Sequence, residues 1–268
     1  MKDRSGYISL GNEQLHYQKT GVGKRLLLAF HGYGDDATSF GLIDPYLCEE
    51  FTMLSFDLPH HGESNWGNTP FTKSDLTELS DLLKKDYGVE KISLLGYSLG
   101  GRICLTILEL MPEKIDHVTL LATDGLVKNR YYTFFTGNWF GKKMFRNMLE
   151  KPARYFRVME WVNKSGLVHP SRYKFAMHSL ASTESRDLLL KVWPAMSSLM
   201  PSVPKVKQAI RKYRIPVTLF MGANDKIMHP RLGVQFKSGL DTVQLYILDN
   251  GHRVLDHEHA EQIARSLL

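Results

Sequence analysis

Hydrophobic positions along the chain come in short unbroken blocks separated by polar, periodic stretches. Arg25-Leu26-Leu27-Leu28-Ala29-Phe30, Thr52-Met53-Leu54-Ser55-Phe56-Asp57, Lys91 to Gly96, residues 115–121, 217–221 and 243–248 are each apolar almost throughout. Runs of this length with little alternation predict strands buried on both faces of a parallel sheet. Residues 72–87 instead place Leu76, Leu79, Leu82 and Leu83 on one helical stripe, with Thr72 as N-cap. Helices are also predicted over 99–111, ended by Pro112, near 230–238 and over 256–268. At the start, residues 7–10 and 14–19 flank Gly11-Asn12 and predict a hairpin. Strands alternating with helices give an α/β class, a mostly parallel sheet with helices on both faces.

Residues 125–205 break this rhythm. They are rich in aromatics (Tyr131, Tyr132, Phe134, Phe135, Trp139, Phe140, Phe145, Tyr155, Phe156, Trp161) and show no convincing strand. The pattern predicts a helical lid inserted over the carboxyl edge of the sheet, leaving 1–124 and 206–268 as the core. Charge follows the same division. Of the 34 Lys/Arg and 28 Asp/Glu, residues 126–200 hold 13 and 4, a net of +9, so the remainder is −3 and the overall +6 belongs to the insertion. The basicity is local, which argues against a nucleic-acid-binding protein and for a field that attracts acidic ligands or an anionic surface. Lys142, Lys143, Arg146, Lys151, Arg154 and Arg157 could steer an anionic substrate, or rest on an anionic membrane with Trp139, Phe140 and Phe145 dipping into the interface. A solvated basic face is the blander alternative.

The length of 268 residues suits one domain with an insertion. The polar start MKDRSGYISL lacks an apolar stretch of signal-peptide length, and no apolar run approaches a membrane span. These features predict a cytoplasmic protein. Cys48 and Cys104 form no C-x-x-C pair and read as free thiols.

The chemistry centres on Gly96-Tyr97-Ser98-Leu99-Gly100-Gly101, which follows a buried strand and opens a helix. In that context G-x-S-x-G forms a sharp strand-to-helix turn that exposes the serine hydroxyl. A serine hydroxyl needs an adjacent base. Of 11 histidines, His252 in Asn250-Gly251-His252 lies between the last strand and last helix, where such a base belongs. His229, His257 and His259 read as exposed loop or helix residues, and His178 as part of the insertion. A carboxylate must orient the base. Asp225, just past the strand ending at Met221, is favoured over Asp124, which follows an earlier strand and competes for the role. His31-Gly32-Tyr33-Gly34 ends an early strand, so the backbone N–H groups of Tyr33 and Leu99 can form an oxyanion hole. His31 itself reads as structural. Asp256-His257-Glu258-His259 sits where a solvated helix start is expected, and no metal-ligand spacing or phosphate-binding loop is seen.

His31-Gly-Tyr-Gly34, Asp57-Leu-Pro-His-His-Gly-Glu-Ser64, Gly96-Tyr-Ser-Leu-Gly-Gly101, Gly222-Ala-Asn-Asp225 and Gly251-His252, arriving in this order, resemble the α/β-hydrolase superfamily. The resemblance implies an eight-stranded sheet whose second strand is antiparallel, with a lid inserted after the sixth. One departure is His60, where many relatives have glycine. Serine rather than aspartate at the elbow argues against dehalogenation and epoxide opening. The expected reaction is hydrolysis of a carboxylic ester or thioester through an acyl-enzyme on Ser98, without cofactor or metal. Carbon–carbon bond hydrolysis, acyl transfer or a lyase step on the same scaffold is the alternative, and a non-catalytic ligand-binding protein a third. The implied partner is a small acyl substrate, with no obligate protein partner.

Overall fold

The fold is given by a computed structural model describing residues 4–152, 154–155, 160–161, 163, 165, 173, 177, 180 and 182–268; Phe156, Arg157 and His178 lie outside these. The chain divides into two compact units, one made of the residues up to Val127 together with Ser198–Leu268, the other of Lys128–Ser197.

The first unit is built on one eight-stranded sheet: β1 (Arg4–Leu10), β2 (Glu13–Thr20), β3 (Arg25–Phe30), β4 (Phe51–Phe56), β5 (Ile92–Tyr97), β6 (Ile115–Leu121), β7 (Val217–Gly222) and β8 (Val243–Leu248). Their order across the sheet is β1-β2-β4-β3-β5-β6-β7-β8. Strand β2 runs antiparallel to β1 and β4, and the remaining pairs are parallel. The apolar runs occupy the places that periodicity assigns them. In β3, Leu27 and Ala29 face a cluster closed by helix α1 (Asp44–Leu47) and the closing helix α8 (Ala260–Arg265). The alternate residues Leu26, Leu28 and Phe30 face the layer formed by α2 (Lys73–Tyr87) and α3 (Leu99–Leu110). Thr72 caps α2 in a reciprocal box with Asp75. Cys48 and Cys104 are free thiols, and burial pushes the Cys104 thiol up.

Two elements depart from the sequence expectation. The first unit resumes at Ser198, not 206, and contains α7 (Val203–Tyr213). Its buried stripe is only Val206, Ala209 and Ile210, set among the cations Lys205, Lys207, Arg211 and Lys212, so composition hid it in the basic insertion. The closing helix begins at Ala260 and not at 256, because Asp256 accepts from the His259 N–H (2.9 Å) and holds 256–259 as a turn.

The second unit holds α4 (Arg130–Gly137), α5 (Trp139–Glu150) and α6 (Thr183–Ala195). Its core is aromatic: Phe145 stacks on Trp193 with centroids 4.9 Å apart, and the Tyr132 hydroxyl donates to the Trp193 carbonyl. Phe145, expected at a membrane interface, is therefore a core residue. Among the described residues no helix is long and apolar enough to cross a membrane.

The turn from β5 to α3 is tightly packed. Ser98 has φ 50° and ψ −110°, a region that side-chain-bearing residues avoid at a cost of about 1–3 kcal/mol. The Ser98 N–H donates to Leu121 O (2.9 Å) and Ser98 O accepts from Asp124 N–H (2.9 Å), so the β6 end clamps the turn. A Cβ on Gly100 would lie 1.8 Å from Phe30 O, so only glycine lets α3 start against the end of β3. Ser98→Gly, which relieves the backbone, will therefore unfold at higher denaturant than Ser98→Ala by about 1 kcal/mol, against the usual order of these residues. Chemical denaturation of the two variants side by side checks this; Ala above Gly contradicts a strained turn.

Candidate active site

Ser98, Asp225 and His252 follow the ends of β5, β7 and β8, and the parallel sheet brings these three carboxyl ends to one edge. There the side chains form a continuous chain. His252 Nδ1 is 2.7 Å from Asp225 Oδ2, and its Nε2 is 2.9 Å from Ser98 Oγ. A carboxylate accepts, so Nδ1 carries the proton and Nε2 is left to accept the Ser98 hydroxyl proton. Asp225 is 1% exposed, and its Oδ1 accepts from the Ile227 (2.7 Å) and Met228 (2.9 Å) N–H groups. Burial works to raise this carboxyl, but the hydrogen bond and charge of His252 and the two amides outweigh it and hold it below the ordinary value. Asp225 is thus an anion throughout the neutral range.

The rival carboxylate has another partner. Asp124 Oδ2 accepts a 2.9 Å hydrogen bond from Arg102 Nε and pairs with the same guanidinium through Nη2, and its Oδ1 accepts from Gly125 N–H. Arg102 is 5% exposed. Asp124 serves the elbow through its backbone N–H and neutralises a buried arginine.

Leu99 is the first residue of α3, and Tyr33 lies in the loop after β3. Because β3 and β5 are neighbours and Phe30 pairs with Gly96, both residues come to the same strand edge. Two buried histidines brace the Tyr33 loop. His31, fully buried, donates from Nδ1 to Gly32 O (2.7 Å) and accepts at Nε2 from Leu58 N–H (3.0 Å). His61 accepts at Nε2 from Gly34 N–H (3.0 Å), and its ring meets His31 edge-on at 5.0 Å. Both must be neutral to accept, and burial pushes their protonation down, that of His31 to about 4. Asp57 completes the brace: Oδ1 accepts from Ala37 N–H (2.7 Å), while Oδ2 accepts from Glu63 N–H and His16 Nδ1 (each 2.8 Å). His60 has φ 66°, a left-handed conformation that glycine adopts without steric cost.

Sequence reasoning missed a link beside the triad. Arg253 Nη2 donates to Asp35 Oδ1 at 3.1 Å, joining the His252 loop to the Tyr33 loop. The two residues are 218 positions apart, so nothing local announces the pair. The Tyr97 ring lies 5.5 Å from the His252 ring, and burial pushes its phenol up to about 12. Among the described residues no group of His, Cys, Asp and Glu is placed to hold a metal. A groove of about 620 Å³ lined by His117, Thr218, Gln244 and Arg265 lies near the amino ends of β6 to β8 and touches no triad member.

The brace has a pH consequence. Folded His31 takes a proton near pH 4, the unfolded ring near 6.5, so between these values the unfolded state binds more protons and stability falls as pH falls. At about pH 5 His31 alone removes about 2 kcal/mol of the stability present at about pH 7.5. Urea midpoints at the two pH values check this, and a flat profile contradicts a neutral buried His31.

A model of the alpha/beta hydrolase family matches residues 26–266. The chain is 24% identical over 261 residues to the uncharacterized hydrolase YugF of Bacillus subtilis, covering 94% of this chain and 91% of that one. Among solved structures, a thermophilic esterase from Thermogutta terrifontis superposes with a TM-score of 0.64 at 20% identity, covering 98% of this chain and 94% of the other. The enol-lactonase from Burkholderia xenovorans gives 0.66 at 17% identity, covering 97% of each chain. The sheet order, the turn at Ser98 and the family match over nearly the whole length make the assignment: the chain belongs to the alpha/beta hydrolase family.

Proposed function

We propose that the chain is a serine hydrolase that cleaves a carboxylic ester or thioester through an acyl-enzyme on Ser98. The observation that supports it most is the unbroken contact from Asp225 through His252 to Ser98, at 2.7 and 2.9 Å. His252 Nε2 takes the hydroxyl proton as Ser98 Oγ attacks the carbonyl carbon, and the imidazolium is held by Asp225. The carbonyl oxygen becomes an oxyanion facing the N–H groups of Leu99 and Tyr33, with the α3 N-terminus adding its positive dipole end. Collapse of this intermediate expels the alcohol or thiol, which takes the proton from His252. Water, deprotonated by the same nitrogen, then attacks the acyl-enzyme and releases the acid, restoring Ser98.

The neutral His31–His61 pair suits this role. It fixes the Tyr33 loop with hydrogen bonds between backbones. The Arg253–Asp35 pair ties the same loop to the base.

Hydrolysis of p-nitrophenyl esters from acetyl to decanoyl tests the reading. Turnover with a chain-length optimum supports an esterase; Ser98→Ala lowers kcat/KM by about 10³-fold or more, while the protein unfolds cooperatively as before. A Ser98→Ala protein with most of its activity contradicts the mechanism. Asp225→Asn costs about 10²–10⁴-fold in kcat, because the amide favours the wrong tautomer of His252. Asp124→Asn costs far less activity and shows instead as lost stability, about 3 kcal/mol for a buried arginine deprived of its anion. The reverse ranking moves the orienting acid to the β6 loop.

A further inference from the structure

The second unit divides its aromatic residues between two jobs. Tyr132, Phe145 and Trp193 pack against one another as its core. Tyr131, Phe134, Trp139 and Phe140 do not: Trp139 is 73%, Tyr131 66% and Phe140 60% exposed. Phe134, Trp139 and Phe140 lie at the corner where α4 hands over to α5, and Tyr131 lies one helix length away in the first turn of α4. The corner is built rather than frayed. Asn138 caps α5 by accepting from Gly141 N–H (2.8 Å), and a Cβ on Gly141 would lie 2.0 Å from Phe134 O, so the two helices cross in close contact. The Phe134 and Phe140 rings are 6.4 Å apart. Among the described residues, exposed large aromatics elsewhere are scattered singly; a group of them within ten residues marks an interaction surface.

Charge identifies what it meets. Residues 127–149 contain Lys128, Arg130, Lys142, Lys143 and Arg146 and no Asp or Glu. All five cations are exposed, and Lys143 Nζ sits 5.0 Å from the centre of the Trp139 ring. Large aromatic rings, among them the amphipathic Trp139, set among lysines and arginines, match the headgroup layer of an anionic bilayer: rings enter the interface while cations pair with lipid phosphates. We propose that the α4–α5 corner is a docking surface for anionic lipid membranes, with Trp139 and Phe140 as the inserted side chains and Lys142, Lys143 and Arg146 as the headgroup contacts. This does not depend on the acyl-transfer reading, since none of these residues belongs to the Ser98 site.

The test is co-sedimentation of the full chain with vesicles of phosphatidylglycerol mixed with phosphatidylcholine, beside vesicles of phosphatidylcholine alone. The protein should pellet with the anionic vesicles, and binding should fall sharply when salt is raised to about 1 M, where the Debye length is about 3 Å. Each basic residue near an anionic surface adds about fivefold in partitioning, so Lys142→Gln with Lys143→Gln should weaken binding about 25-fold. Trp139→Ala with Phe140→Ala should weaken it while leaving circular dichroism and the urea midpoint unchanged. Equal binding to both vesicle types, no binding to either at low salt, or wild-type binding by both double variants overturns the proposal. So does a concentration-dependent dimer in size-exclusion chromatography that Trp139→Ala with Phe140→Ala abolishes, since the patch would then serve a second copy of the chain.

Discussion

The backbone at Ser98, held at φ 50° and ψ −110°, is a local loss that the surrounding structure must offset, and the rest of the first unit can be understood from how it does so. The turn is clamped from β6 through Leu121 O and Asp124 N, and from β3 through the contact of Gly100 with Phe30 O. Those clamps require β3, β5 and β6 to be neighbours, which the parallel sheet provides. The same turn sets the hydroxyl 2.9 Å from His252 Nε2 and starts α3 immediately after it, so one conformational cost yields an exposed hydroxyl, its imidazole contact and a helix N-terminus together.

Around this turn the polar groups fall into two electrostatic kinds. Asp225 is a buried anion satisfied by two amides and an imidazole, and so gives His252 a fixed tautomer. His31 and His61 are buried neutral rings that work as hydrogen-bond struts between backbones. Residues of similar appearance in sequence thus take different places: His252 is partly exposed and in hydrogen-bond contact with Ser98, while His31 is sealed and resists protonation down to about 4. Burial decides the difference.

Much of this was legible in the sequence because it depends on local pattern. Strands β3 to β7 announce themselves as short, mostly apolar runs, and the Gly-Tyr-Ser-Leu-Gly-Gly turn is readable because a strand precedes it and a helix follows. The position of His252 after the last strand is likewise a matter of chain order. What was illegible depends on tertiary partners. Asp124 and Asp225 both follow strands, and they are separated only by their tertiary partners, the buried Arg102 beside Asp124 and His252 beside Asp225. The Asp35–Arg253 link joins distant parts of the chain, and α7 hides three buried apolar residues among four cations. Phe145 and Phe140 share one helix, yet helical rotation sends the first into the core and leaves the second exposed.

Labelling with a fluorophosphonate probe tests the central claim most directly, because it asks whether Ser98 Oγ is activated without requiring the natural substrate. The account predicts a single covalent adduct, mapped by mass spectrometry to Ser98, whose rate of formation drops by orders of magnitude in His252→Ala and Asp225→Asn proteins that remain folded. No adduct on the folded wild-type protein, an adduct on another residue, or equal rates in the three proteins would contradict it.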